Sequence, residues 1–314
     1  MPSCLSAPEP ADTPSYPDDT EAIDSSTLAA ALYVVATPIG NLEDISSRAI
    51  RTLRAVTWIA AEDTRSSRPL LRSLGIGTNR CLSLHAHNES TRTGSILARI
   101  QAGASVALIS DAGTPAISDP GAHLVAAAHA AGIKVVPIPG PSATTALVSA
   151  AGLAGGRFLF EGFLPTRSRQ RQERLLELAR SSYAVLLFEA PHRIEALAED
   201  LLADFDPSRE VVIGRELSKR FEQIIRLPLA DLPGWLADDA NHRRGEFAVL
   251  LLPPATDGQA ESGDQPSGPG EVGQRAMRVL SAEMPPRQAA KLAARISGDK
   301  ADQLYRSHLN QNRK

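Results

Sequence analysis

From Leu32 onward, short β-branched runs alternate with segments whose apolar residues recur at helical spacing. Strands are predicted over 32–37, 57–61, 80–85, 105–110 and 133–138. Helix-like spacing and start signals occupy 46–56, 67–74, 90–102, 120–131 and 142–151 between and after them. This alternation predicts an α/β fold with a largely parallel sheet covered by helices on both faces. After the Gly-rich break at 152–156 the pattern changes. Strands are predicted at 157–163, 183–188, 210–214, 221–227 and 246–252, with helices at 169–180 and 192–205. Three of these strands succeed one another with little helix between them, so a mixed second sheet with antiparallel pairing is expected. The break separates an N-terminal α/β domain, 31–153, from a second α/β domain, 154–252. A cleft between two such domains is the expected seat of a small ligand.

Composition alters the picture mainly at the two ends. Residues 1–30 hold six acidic side chains and no Lys or Arg, among prolines and serines, and predict a disordered acidic tail. Residues 253–271 carry four acidic groups and no base, and predict a flexible linker. The stretch 272–314 reverses the sign, with nine Lys or Arg against three Asp or Glu, which leaves the core 31–252 near neutral. Within it, helices at 274–283 and 287–296 meet at Met284-Pro285-Pro286, and a third begins near Asp299. A basic module of this form is helix-turn-helix-like and points to nucleic acid, with a solvated helical appendage as the alternative. Cys4 and Cys81 lie in a polar tail and a strand, so a disulfide framework is not expected and a reducing cytoplasm is. The apolar run 28–36 is too short to span a bilayer and follows acidic residues, which argues against a membrane segment or signal peptide.

The chemistry gathers in the loops that follow the first five strands. After the fourth comes Ser110-Asp111-Ala112-Gly113-Thr114-Pro115, at the strand end where an open α/β sheet binds ligands. It is neither a Walker A sequence nor G-x-G-x-x-G, which points away from nucleoside triphosphates and NAD. His85 and His87 share a strand face at the spacing of two metal ligands. No third His or Cys lies near them, a hydrogen-bonded turn is the alternative, and no metal is expected. Glu62-Asp63-Thr64-Arg65 combines groups that suit a hydroxyl and a neighbouring phosphate, with a helix cap by Asp63 or Thr64 as the alternative. Arg167, Arg169, Arg171 and Arg174 fall within nine residues and are candidate phosphate ligands, unless Glu173 and Glu177 pair with them on a solvated helix face. Aromatic residues are only 4% of the chain, so phosphate and shape contacts are expected to outweigh base stacking.

Together these loops resemble the tetrapyrrole methylase superfamily, S-adenosylmethionine-dependent methyltransferases that lack the Rossmann glycine motif. Within it the chain is most similar to the branch that methylates a cytidine 2′-hydroxyl in bacterial 16S ribosomal RNA. The residues that carry the likeness are 33–42 (YVVATPIGNL), 61–65 (AEDTR), 87–89 (HNE), 110–115 (SDAGTP), 118–121 (SDPG), 139–143 (PGPSA) and 161–165 (EGFLP). Phe188-Glu189, His192-Arg193, Arg215-Glu216-Leu217, Lys219 and Gly245-Glu246 continue it. It covers 31–252, and 275–308 resemble the branch's small helical C-terminal domain. The resemblance implies a two-domain fold with S-adenosylmethionine in the interdomain cleft. The matching cofactor positions are Pro38, Ala112, Gly113, Thr114, Ile117, Ser142, Ala143, Glu189 and Leu217, with Asp111 beside them. It implies methyl transfer to ribose, with Glu62, Asp63 and His87 as open candidates for the base. Arg65, the arginines of 167–174, and Arg287 and Lys291 in the C-terminal module are then expected to hold RNA of the small ribosomal subunit. A homodimer is implied by the resemblance alone. Relatives acting on porphyrin precursors read Gly-Asp-Pro where this chain has Gly113-Thr114-Pro115. Methylation of a tetrapyrrole precursor, and an RNA-binding or ribosome-assembly protein without turnover, are the alternative functions. The Arg cluster, the basic module and the AEDTR and HNE loops weigh against the tetrapyrrole substrate.

Overall fold

The computed structural model describes residues 28–254 and 270–311, so most of the expected acidic tail and linker lie outside the described residues. Strands β1 (Leu32–Val35), β2 (Trp58–Ala61), β3 (Cys81–Ser83), β4 (Val106–Ile109) and β5 (Val135–Ile138) form a wholly parallel sheet in the order β3-β2-β4-β1-β5. Alternate residues of each strand serve opposite faces. Tyr33 and Val35 join one core with Leu53 of α1 (Ser47–Ala55) and Leu71 of α2 (Thr64–Ser73). Leu32 and Leu108 join the other with Ile96 of α3 (Glu89–Gln101) and Leu124 of α4 (Ala122–Ala130). The chain leaves β1 towards β2 and leaves β4 towards β5, in opposite directions along the sheet. The connections therefore diverge above the carboxyl ends of β1 and β4 and open a crevice there.

The second sheet contains β6 (Phe158–Phe163), β7 (Ala184–Glu189), β8 (Glu210–Arg215), β9 (Gln223–Pro228) and β10 (Phe247–Leu251), in the order β6-β7-β10-β8-β9. Only β6 and β7 run parallel, and the other pairs are antiparallel, as the closely spaced strands predict. One face, with Val185, Ile213 and Val249, packs on α6 (Ser168–Ala179), α7 (Ile194–Asp204) and α8 (Leu232–Asp238). Helix α8 is not among the sequence expectations, and Pro233-Gly234 has low helix propensity. Burial of Leu232 and Leu236 in this core outweighs the local preference, and Pro233 fits the first turn, where no N–H bond is lost. The other face, with Leu186, Val212 and Leu250, packs on Leu147 of α5 (Ala143–Ala150). Helix α5 thus precedes the Gly-rich break in sequence yet belongs to the core of the second sheet. Both sheets lie in one compact unit.

Helices α9 (Glu271–Glu283), α10 (Pro286–Ser297) and α11 (Ala301–Gln311) form a separate compact unit around Met277, Ala289, Ala293 and Leu304. Pro285 and Pro286 open α10, and Gly298, with φ +78°, closes it in the left-handed region. The alanines on its inner face let the neighbouring helices approach closely. Among the described residues no helix is long and apolar enough to cross a membrane.

Candidate active site

Three loops are stitched together over the crevice. Thr37 and Gly113 exchange backbone hydrogen bonds of 2.8 and 3.1 Å, which ties the loop after β1 to that after β4. The Thr114 hydroxyl donates to the Pro141 carbonyl at 3.1 Å, which adds the loop after β5. Gly113 lies at φ +79°, and a Cβ there would press within 3.2 Å of the Ile39 side chain. A residue without a side chain is therefore what brings this backbone so close to its neighbours.

A cavity of about 450 Å³ opens beneath these loops, walled on the other side by the second sheet. Its lining includes Asp111, Ala112, Gly113, Thr114 and Ile117 from the loop after β4, and Ser142 and Ala143 at the start of α5. Glu189 at the end of β7 and Leu217 after β8 complete the group, so nine of the ten expected cofactor positions meet here. Pro38 is buried and does not line the cavity; its neighbour Ile39 does. Phe163, Phe188, Gly214, Glu246 and Phe247 also line it. Phe163, Phe188 and Glu246 lie in motifs that carry the resemblance without being expected at the cofactor, and Gly214 and Phe247 were not singled out from sequence. They come from four strands or strand ends of the second sheet, and only register places Phe247 opposite Glu189. The Glu189 carboxyl is almost fully buried, and burial raises its proton affinity against the pull of the Ala190 N–H and of Arg193. Arg193 lies 3.2 Å from Oε2, but that oxygen has no well-directed hydrogen-bond donor.

Glu62, Asp111 and Asp119 add an acidic group to the lining. Burial, then the nearby Asp119 carboxylate, pushes the Glu62 carboxyl above its usual range, despite the Asp111 N–H it accepts at 3.5 Å. Burial also raises Asp119, with repulsion from Asp111 adding to it. Asp63 is held differently. It accepts the Arg65 backbone N–H at 2.7 Å as the N-cap of α2 and grips the Arg65 guanidinium at 3.0 Å. The Arg65 hydrogen bonds hold the Asp63 carboxyl below its ordinary range, so it is a poor proton acceptor. This capping role is the alternative weighed above, and it starts α2 at Thr64 rather than at residue 67.

The loop after β3 does other work. His87 is exposed and is not part of the cavity lining. Asn88 shapes the turn by accepting the His85 N–H at 2.9 Å. Glu89 Oε1 accepts the N–H groups of Gly121 and Leu124 at 3.0 and 3.1 Å, and so caps α4, whose own N-cap is a glycine. Replacing Glu89 by Ala is expected to cost about 1–2 kcal/mol in urea unfolding. An unchanged midpoint would overturn the capping role.

Comparison with known proteins adds lineage to this geometry. The family model for tetrapyrrole (corrin/porphyrin) methylases matches residues 31–233, and that for the RsmI C-terminal HTH domain matches 267–311. Ribosomal RNA small subunit methyltransferase I of Pseudomonas aeruginosa is 48% identical over 284 residues, covering 90% of this chain and 97% of the relative. The protein of that name from Escherichia coli O157:H7 is 43% identical over 280 residues, covering 89% and 95%. The chain belongs to the tetrapyrrole methylase family.

The fold of this tetrapyrrole methylase is also that of the solved methyltransferase CobJ, with TM-score 0.53, 19% identity, and coverage of 73% of this chain and 97% of the other. Cobalt precorrin-4 methyltransferase CbiF gives TM-score 0.52 at 16% identity, covering 71% and 95%. The helix-turn-helix expectation for the C-terminal module agrees with its family match. Within that module Arg287, Lys291 and Arg295 recur at every fourth position along the exposed side of α10. The Arg167–Arg174 segment does not form an open clamp. Arg171 pairs with Asp200 at 2.5 Å, and Arg174 bonds both oxygens of Glu161 at 2.7 Å and reaches Glu177 at 2.5 Å. Arg169 pairs with Glu173 on the surface. Arg167 remains exposed at the start of α6.

Proposed function

We propose that this methyltransferase transfers the methyl group of S-adenosylmethionine to a cytidine 2′-hydroxyl in 16S RNA of the small ribosomal subunit. The observation that carries the reading is the nearly end-to-end similarity to small-subunit ribosomal RNA methyltransferases, in a chain whose cavity wall includes a desolvated carboxyl group. The cavity suits the donor. Its volume lies within the range of small-molecule sites, and Ile39, Ala143 and Leu217 give apolar walls. The under-satisfied Glu189 Oε2 calls for a hydrogen-bond donor, which the amino and hydroxyl groups of this cofactor can provide. When bound, S-adenosylmethionine supplies an electrophilic methyl group for in-line displacement. Glu62 is the proton acceptor for the attacking hydroxyl, because of the three candidates it alone lines the cavity and has its proton affinity raised. Asp63 keeps Arg65 extended at the surface, and the stripe on α10 gives the module its phosphate-binding charge. The reading is tested by incubating the protein with labelled S-adenosylmethionine and purified small ribosomal subunits. Label on the 2′-oxygen of a cytidine is the expected result; label on a base, or none on RNA, overturns it. The homodimer is part of the same proposal and is read from the mass in solution.

A further inference from the structure

The turn between β8 and β9 is more tightly built than a connection requires. Glu216 and Ser218 both adopt the left-handed region, at φ +51° and +66°, where residues other than glycine are uncommon. Glu222 accepts the Ser218 N–H at 2.5 Å, and the Glu222 N–H in turn donates to the Lys219 carbonyl at 3.1 Å. The ammonium of Lys219 is held by Glu216 at 2.8 Å and Glu246 at 3.1 Å. Buried Arg215 donates to the Phe221 carbonyl at 3.2 Å and to the Arg244 carbonyl at 3.3 Å. All of this fixes the backbone, yet the Phe221 side chain is left 64% exposed, more than Phe163 or Tyr183. The Arg220 guanidinium carbon lies 5.5 Å from the centre of its ring. An aromatic ring held by such a framework and left to solvent beside a cation is a surface for a flat π-system.

Its position gives it a role. Leu217, in the same turn, lines the cofactor cavity, as does Ile39. Their chain neighbours Ser218 and Gly40 line a second, open groove with Glu43, Lys219 and Arg220. The two concavities thus meet along the segments 39–40 and 217–218. Ser218 hydrogen-bonds to Asp44, and Gly40 lies against the Lys219 stem so closely that any Cβ would overlap it. Carboxylates neutralise Lys219, and Glu43 lies in the same groove, so a phosphate finds little net positive charge. A nucleobase fits better: the exposed Phe221 ring, next in the chain to Arg220 of this groove, offers a face on which it can stack.

We propose that Phe221, backed by Arg220, is a stacking platform for an unpaired base of the RNA beside the methylated nucleotide, an inference that rests on the RNA reading above. The test compares steady-state methylation of small ribosomal subunits by the wild type, F221A, F221L and F221W. The F221A variant is expected to raise KM roughly five- to hundredfold, the range of one base–aromatic stack, with kcat and S-adenosylhomocysteine affinity unchanged. F221W should restore KM and F221L should not, and the deficit should be the same at low and high salt, unlike that of a lost phosphate contact. The F221W indole should also be quenched by added small-subunit RNA, above the background from Trp58 and Trp235. A wild-type KM in F221A, or equal rescue by F221L and F221W, overturns stacking while the RNA reading stands. A wild type that labels no RNA overturns that reading, and the platform falls with it.

Discussion

Replacing Glu62 by Gln is expected to lower kcat for RNA methylation by about a hundredfold or more, while S-adenosylhomocysteine still binds. The carboxyl lies in the cavity wall, and burial together with the Asp119 carboxylate raises its proton affinity, which brings a proton acceptor closer to working pH. The wild-type rate should therefore rise with pH through the raised Glu62 titration, and the variant should lose that limb. Stability should move the opposite way. A carboxyl whose folded pKa lies above its unfolded one favours the native state when protonated, and that contribution is lost as pH rises through the folded value. At neutral pH the native state carries the burial and repulsion of the charged form, which Gln does not. The variant should thus melt at a higher temperature than wild type at pH 7. The difference should shrink as pH falls through the raised pKa towards the ordinary Glu range. A variant with wild-type kcat and an unchanged acid limb would remove Glu62 from the proton transfer.

The second large effect is expected at Arg171, and it is on folding. Its side chain is 12% exposed and pairs with Asp200, 15% exposed, at 2.5 Å, joining α6 to α7. Changing Arg171 to Met leaves a largely buried carboxylate without its counter-charge, at a cost of about 3 kcal/mol or more. The double variant R171M/D200L should recover much of that loss, because it removes both charges together. By contrast, Arg169 and Glu173 form an exposed pair, and R169Q should cost less than about 1 kcal/mol. If Arg171 instead served RNA, R171M would keep its unfolding midpoint and raise KM for ribosomal subunits. Denaturant unfolding and methylation kinetics on the same samples separate the two outcomes.

The contrast between these arginines shows where sequence reading stops. Four arginines in nine residues look like one feature, yet each has a different environment. Arg171 meets a residue 29 positions away and Arg174 meets one 13 positions before it. The local alternative foresaw pairing with Glu173 and Glu177, but not the two partners that decide burial. Phe221 is a parallel case. It reads as the start of a strand, whereas the strand begins at Gln223 and the residues before it form a strained turn. Glu89 reads as part of a polar loop, and only the arrival of α4 above it gives its carboxylate a purpose.

What the sequence determined by itself is what repeats locally. Alternation of apolar runs with helical spacing set the βα order, and small residues after the fourth strand marked a loop that backbone approaches closely. The motifs around these loops pointed to the family. Periodicity records which face of an element is buried, but not what stands across from it. The tertiary structure alone brought Phe247 opposite Glu189, made Asp63 a cap and a clasp for Arg65, and left Glu62 desolvated beside two other carboxylates. Charge pairing and proton affinity depend on neighbours at a few ångströms, and those neighbours come from strands and helices far apart in the chain.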